Sequence, residues 1–101
     1  GYASELCKRL PRASQAWLIR GMIEYREKDY EAALEYLAKA NQLARNNPNP
    51  RFFAAMAHWQ LSEPALARSS IANAEELFAS RSNHDDWTQS YRDEARNLID
   101  P

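Results

Sequence analysis

The chain of 101 residues is poor in the residues that make tight turns or covalent cross-links. Two glycines and five prolines leave little room for the many turns of a β-rich fold. A single cysteine excludes an internal disulfide and agrees with a reducing compartment, so we expect a cytoplasmic protein. No run of about 18 apolar residues is present, which predicts that no segment inserts into a membrane.

Excess charge of either sign is also absent. Thirteen basic and fourteen acidic residues give a net charge of -1, so the chain lacks the basic footprint of a nucleic-acid-binding protein. Hydrophobic residues at 45% and charged residues at 27% are ordinary for a folded domain, and the length predicts one small core.

The most informative feature that is present is a self-similarity at a period of 34 residues. Six positions recur without a gap as Gly21 and Ala55, Tyr25 and Trp59, Asp29 and Glu63, Ala33 and Ala67, Leu37 and Ile71, and Ala40 and Ala74. A fixed period of this length predicts repeated helical hairpins.

Apolar spacing and capping residues predict the helices. The predicted helices lie near 14–27, from Tyr30 to Ala44, over 50–61, after Pro64, and over 85–99, with a loop at 80–84. Asp29 is a predicted N-cap, and Asn49 is a predicted cap with Pro50 in the first turn. Asn83 and Asp86 form a predicted capping pair for the last helix. That helix has a predicted apolar stripe of Trp87, Tyr91, Ala95, Leu98 and Ile99, with Arg92 facing water.

The motif W-x-x-x-G-x-x-x-Y from Trp17, followed by D-Y-x-x-A from Asp29 and L-x-x-A from Leu37, resembles the tetratricopeptide repeat. The second unit departs from the pattern, because Arg51 replaces the first aromatic residue. The resemblance implies an all-α, right-handed α-α superhelix of two hairpins. Its units would be a tail helix of a preceding repeat over 1–13, repeats over 14–47 and 48–81, and a loop with a C-terminal capping helix over 82–101.

A narrower resemblance comes from the strings Phe52-Phe53-Ala54-Ala55-Met56-Ala57-His58-Trp59-Gln60-Leu61 and Tyr91-Arg92-Asp93-Glu94-Ala95. They are similar to tetratricopeptide segments of large multidomain planctomycete bacterial proteins, where such segments often follow kinase or WD40 domains. Solenoid ends need a polar cap, and no cap is visible at the N-terminus. We therefore expect the chain to be the C-terminal part of a longer protein.

Repeats of this family present a surface and do no chemistry themselves, so we expect a non-enzymatic scaffold that binds a protein or peptide. In the family, the corresponding face of each first helix lines a concave groove. The groove residues that the resemblance implies are Leu18, Met22, Tyr25, Arg26, Phe52, Met56, Trp59 and Gln60. Methionines and aromatic side chains would make an adaptable apolar trough for an extended segment or a helix.

Three alternatives remain open at this stage. Some of the groove residues could belong to the core, covered by the preceding or the final helix. The Trp-rich faces could instead pair two copies of the chain in a homodimer. The module could also dock in cis on an enzymatic domain, such as a kinase, of its parent chain.

Residues that could support chemistry are few. Glu24 and His58 stand one period apart and could form a proton-transfer pair, although Arg20 is also placed to pair with Glu24. His84-Asp85-Asp86 are consecutive and would point in different directions, and Cys7 has no basic partner close in sequence beyond Lys8 and Arg9. We therefore predict no catalytic residues, no metal site and no cofactor.

Overall fold

The computed structural model describes residues 13–81 and 84–100, and every regular element in these ranges is an α-helix. The predicted tail over 1–13 therefore lies outside the described residues, apart from Ala13, and so do Cys7 and Asn83. The helices are α1 (Ser14–Arg26), α2 (Tyr30–Leu43), α3 (Asn49–Gln60), α4 (Pro64–Ala79) and α5 (Asp86–Ile99). The all-α prediction is confirmed. None of the described helices is long and apolar enough to cross a membrane.

The 34-residue period is visible in the backbone. A left-handed residue stands two positions after the last residue of both α1 and α3, Lys28 with φ 68° and Ser62 with φ 61°. The following amides, of Asp29 and Glu63, each donate to the carbonyl oxygen five residues earlier at 2.9 Å. Both turns are Schellman motifs, which satisfy the last carbonyl groups of a helix. The two helix pairs, α1 with α2 and α3 with α4, are therefore joined by equivalent turns.

The helix starts agree only in part with the predicted caps. Asp29 caps α2 as predicted, since its carboxylate accepts from the N–H of Ala32 at 3.2 Å. The predicted cap Asn49 is wrong, because α3 already begins at Asn49. The side chain of Asn47 instead accepts the N–H of Asn49 at 3.1 Å. The predicted cap of α5 is also wrong, because Asp85 accepts from the N–H of Thr88 at 2.7 Å.

Small residues allow α1 and α2 to pack closely. Gly21 lies so near α2 that an added Cβ would stand 2.7 Å from both Cγ and Cδ2 of Leu37. Ala33 and Ala40 on α2 are fully buried, as are their counterparts Ala67 and Ala74 on α4. The predicted role of these residues in close helix packing is confirmed.

The last helix, α5, packs mainly against α3 and less against α4. Its buried side is formed by Thr88, Ala95 and Ile99. Tyr91 is partly buried, and its ring meets that of Phe53 edge-on at a centroid distance of 4.9 Å. The predicted stripe is wrong at Trp87, which is 69% exposed, because the buried face centres on Thr88 one position later.

Arg92 does not face water as predicted. Its Nε donates to both carboxylate oxygens of Glu75 on α4, at 2.9 and 3.1 Å. The guanidinium group also lies over the ring of Phe78, 4.5 Å from the centroid. Arg92 therefore helps to hold α5 against α4.

Candidate functional site: the cleft between α1 and α5

The predicted groove residues differ widely in their exposure. Leu18, Tyr25, Phe52 and Met56 are buried, with exposed fractions between 0% and 7%. Met22 and Trp59 are partly buried, whereas Arg26 and Gln60 are exposed. Half of the predicted set therefore belongs to the hydrophobic core in this structure.

The position of α5 is one reason why this face is not an open trough. Glu94 of α5 makes a bidentate ion pair with Arg26 of α1, with one N–O distance of 2.7 Å. Tyr91 of the same helix packs on Phe53 of α3. The final helix thus packs on α3 and is linked to α1 by this ion pair, so it lies beside part of the predicted groove face.

Two further predicted groove residues, Tyr25 and Trp59, make side-chain contacts within the chain. The Tyr25 hydroxyl has its pKa raised by burial, while a side-chain hydrogen bond with Gln60 opposes that rise. The guanidinium group of Arg68 lies over the Trp59 ring, 5.6 Å from the ring centroid. These side chains are therefore engaged in contacts within the chain.

One part of the face remains open as a cleft between the first half of α1 and the start of α5. The cleft has a volume of about 540 Å³ and includes two predicted groove residues, Leu18 and Met22. Its remaining lining is Gln15, Asn47, Asn49, Arg81, Asp85, Trp87, Thr88 and Tyr91. We call this region the α1–α5 cleft.

The α1–α5 cleft combines an apolar wall with polar groups that lack a full set of partners. Trp87 is 69% exposed, and its ring lies 6.4 Å from that of Tyr91. The Oδ1 atom of Asn49 is buried and accepts no hydrogen bond. A buried acceptor without a donor is costly, so a ligand that supplies an N–H at this point would gain affinity.

The ionisable groups of the cleft do not point to catalysis. The pKa of Asp85 is lowered because the backbone N–H of Thr88, and then its hydroxyl, stabilise the carboxylate. The pKa of Tyr91 is raised, first by burial and then by the charge of Asp85. Asp85 is thus a capping carboxylate, and the Tyr91 phenol stays neutral at neutral pH.

Sequence reasoning missed Trp87 as an accessible residue of the cleft. The signal that could have found it is the spacing of Thr88, Ala95 and Ile99, which defines the centre of the buried face of α5. Trp87 precedes Thr88 by one residue and so lies about 100° from that centre, at the edge of the stripe.

The proposed proton-transfer pair is not formed. His58 Nδ1 lies 3.0 Å from Glu63 Oε1. Glu24 instead pairs with Arg20 at 2.7 Å, as the i,i+4 spacing predicted. Of the two partners that the sequence offered for Glu24, the structure therefore shows Arg20.

Within residues 13–81 and 84–100, no group of three or more His, Cys, Asp and Glu side chains is placed to hold a metal ion. His84 stacks on Phe78 with a centroid distance of 3.6 Å. Asp85 is occupied by its capping hydrogen bond.

No protein-family model matches the sequence. A search of curated proteins also finds no matching relative. Any family assignment therefore rests on the period and motifs of the chain itself.

Proposed function

We propose that this chain is a non-enzymatic protein–protein interaction module of the tetratricopeptide type, and that it binds a short segment of a partner protein in the α1–α5 cleft. Support for the repeat arrangement comes from the Schellman turns at Lys28 and Ser62, which repeat the 34-residue period of the sequence. The tetratricopeptide motifs around Trp17 and Asp29 agree with it.

The observation that carries the binding proposal is the exposure of Trp87. Soluble proteins leave few large aromatic side chains in water, and exposed tryptophans are enriched at the centres of protein interfaces. Trp87 is 69% exposed and lines a cleft whose other wall contains the partly buried side chain of Met22. Met22 and Trp87 together offer an adaptable apolar surface for one side chain of a partner.

The partner segment that fits this cleft is an extended stretch with one large apolar side chain. That side chain would pack between Met22 and Trp87, while a backbone N–H of the segment would donate to Asn49 Oδ1. Backbone donors are available wherever a segment is extended, but not within the body of a helix, where they are already paired. We therefore favour an extended segment over a helical one.

The test is a selection of peptides from a random library on the full chain, followed by affinity measurements with variants. Trp87→Ala should weaken binding of the selected peptides by roughly 30-fold, since removal of a central interface tryptophan typically costs about 2 kcal/mol. The matched control is Leu66→Ala, because Leu66 is 50% exposed but does not line the cleft. Peptides that bind both variants as tightly as the wild type would refute the proposal.

Self-association is the second candidate, favoured by the exposure of Trp87 on α5 and Leu66 on α4. Sedimentation equilibrium of the wild type and of Trp87→Ala distinguishes the two. A dimer that forms through Trp87 would make the occupant of the cleft a second copy of the chain. If the chain is a monomer at all concentrations, the ligand is instead a segment of another protein, or of a kinase or other domain of the same parent chain.

A further inference from the structure

A second cleft lies on a different part of the molecule, between α2, α3 and α4. It has a volume of about 380 Å³ and shares no lining residue with the α1–α5 cleft. Its lining residues are Leu34, Leu37, Ala38, Asn41, Pro50, Arg51, Ala54, His58, Ser70 and Asn73. We call it the α2–α4 cleft.

Arg51 distinguishes this cleft, because it is partly buried and forms no ion pair with a described carboxylate, whereas Arg45, Arg81 and Arg96, which also form none, are exposed. Four other arginines form ion pairs, namely Arg20 with Glu24, Arg26 with Glu94, Arg68 with Asp100, and Arg92 with Glu75. Within the described part of the chain, Arg51 instead donates to the backbone oxygen of Arg45, at 2.8 Å. None of the described carboxylates forms an ion pair with it, although Glu76 lines the adjoining surface.

The surroundings of Arg51 make its charge unfavourable when no ligand is present. The side chain is partly buried, and its pKa is lowered first by that burial and then by the nearby charge of Arg45. A guanidinium group keeps its proton at all ordinary pH values, so this cost remains in the folded protein. A carboxylate bound in the cleft would remove it and could accept two parallel hydrogen bonds.

Asn41, on the α2 side of the same cleft, indicates that the ligand is a peptide and not a simple anion. Its Oδ1 atom is buried and accepts no hydrogen bond from the residues that the structure describes. A peptide can supply a backbone N–H to this oxygen and a carboxylate to Arg51, whereas a simple carboxylate or phosphate ion supplies acceptors only. The aliphatic lining from Leu34, Ala38 and Ala54 suits the methylene part of an acidic side chain.

We propose that the α2–α4 cleft binds an acidic segment of a protein, with an Asp or Glu side chain on Arg51 and a backbone N–H on Asn41. This site is independent of the proposed function, because it uses other helices and another ligand chemistry. The chain would then hold two segments at once, one apolar and one acidic.

The experiment is an array of immobilised peptides in matched pairs, each pair differing only by Glu against Gln or Asp against Asn. The labelled full-length chain is applied at low salt. Wild type should be retained about tenfold more by acidic members than by their amide partners, which is the usual size of one charge-assisted contact. Arg51→Gln should lose this preference, while Arg68→Gln, with the same change of charge, should keep it.

Two further measurements complete the test. Asn41→Leu should weaken binding of the acidic and the amide peptides alike, because it removes the contact to the peptide backbone. Circular dichroism verifies that each variant is folded. Retention of the preference in Arg51→Gln would overturn the proposal, as would equal retention of both members by the wild type.

The failure of this proposal is separable from that of the proposed function. The variant Trp87→Ala should retain the full preference for acidic members, because Trp87 does not line the α2–α4 cleft. If Trp87→Ala abolishes the preference and Arg51→Gln does not, the acidic peptides bind the α1–α5 cleft and the second site does not exist.

Discussion

The close approach of α1 and α2 at Gly21 leads to a quantitative prediction that involves both hairpins. At the equivalent point, one period later, the chain has Ala55 in place of Gly21 and Ile71 in place of Leu37. An alanine is thus accepted in the second hairpin, where the facing residue is β-branched. We predict that Gly21→Ala destabilises the wild-type chain but stabilises a chain that also carries Leu37→Ile.

The magnitude follows from the geometry. A Cβ atom at residue 21 would lie 2.7 Å from Cγ and Cδ2 of Leu37, whereas carbon atoms normally approach to about 3.5–4.0 Å. Leu37 is only 1% exposed, so it cannot withdraw without disturbing other core residues. Overpacking of this kind costs about 1–3 kcal/mol, against a gain of about 1 kcal/mol in helix propensity. The expected net loss is about 1 kcal/mol.

Urea unfolding of the four chains in the double-mutant cycle measures the effect, with far-UV circular dichroism as the signal. In the Leu37→Ile background the clash is relieved, and Gly21→Ala should raise the free energy of unfolding by up to about 1 kcal/mol through helix propensity alone. The coupling energy should therefore be about 1–2 kcal/mol. A coupling energy near zero, or an increase in stability from Gly21→Ala alone, would refute the steric reasoning.

Three further predictions concern single features. Lys28→Gly should raise the free energy of unfolding, measured by urea titration, by about 0.5–1 kcal/mol, because the φ of 68° at residue 28 favours glycine. The control Lys39→Gly, inside α2, should lower the free energy of unfolding by about 1 kcal/mol. In a double-mutant cycle of Arg26→Gln and Glu94→Gln, the coupling energy should be only about 0.2–1 kcal/mol and should disappear in 1 M salt. The reason is that the side chains of Arg26 and Glu94 are 54% and 34% exposed. The lowered pKa of Asp85 means that its carboxylate stabilises the fold above its ordinary pKa of 3.8 and loses that effect as the pH falls through the folded value. Thermal melts of Asp85→Asn, which keeps the capping oxygen, should therefore show a smaller decrease in stability below about pH 4 than those of the wild type; equal decreases would contradict this assignment.

The positions of the helices could be predicted from the sequence to within about two residues, because local signals determine them. Asp29 and Pro64 mark the starts of α2 and α4, and the apolar spacing marks the extent of each helix. The capping errors at Asn49 and Asn83 arose where several candidate residues stand in a row. The choice among them depends on backbone angles that the sequence does not display.

The location of α5 could not be predicted in the same way. Its apolar stripe shows that the helix is buried on one side, but not which surface it covers. Helix α3 is apolar nearly all round, with Phe52, Phe53 and Met56 all buried, and so offers more than one face for packing. Half of the predicted groove residues therefore belong to the core, and the α1–α5 cleft includes Leu18 and Met22.

The contact between the first and the last described helix has a consequence for how the protein unfolds. Helical arrays in which each unit touches only its neighbours can fray from one end. Here α5 extends past α4 to α3, and Glu94 is bound to Arg26 of α1. Opening of the last helix thus uncovers Phe53 of α3, whose ring meets both Tyr91 of α5 and Tyr25 of α1. Amide hydrogen exchange in α1 and α5 should therefore occur with a common free energy, as in a single cooperative unit, and not with a gradient along the chain.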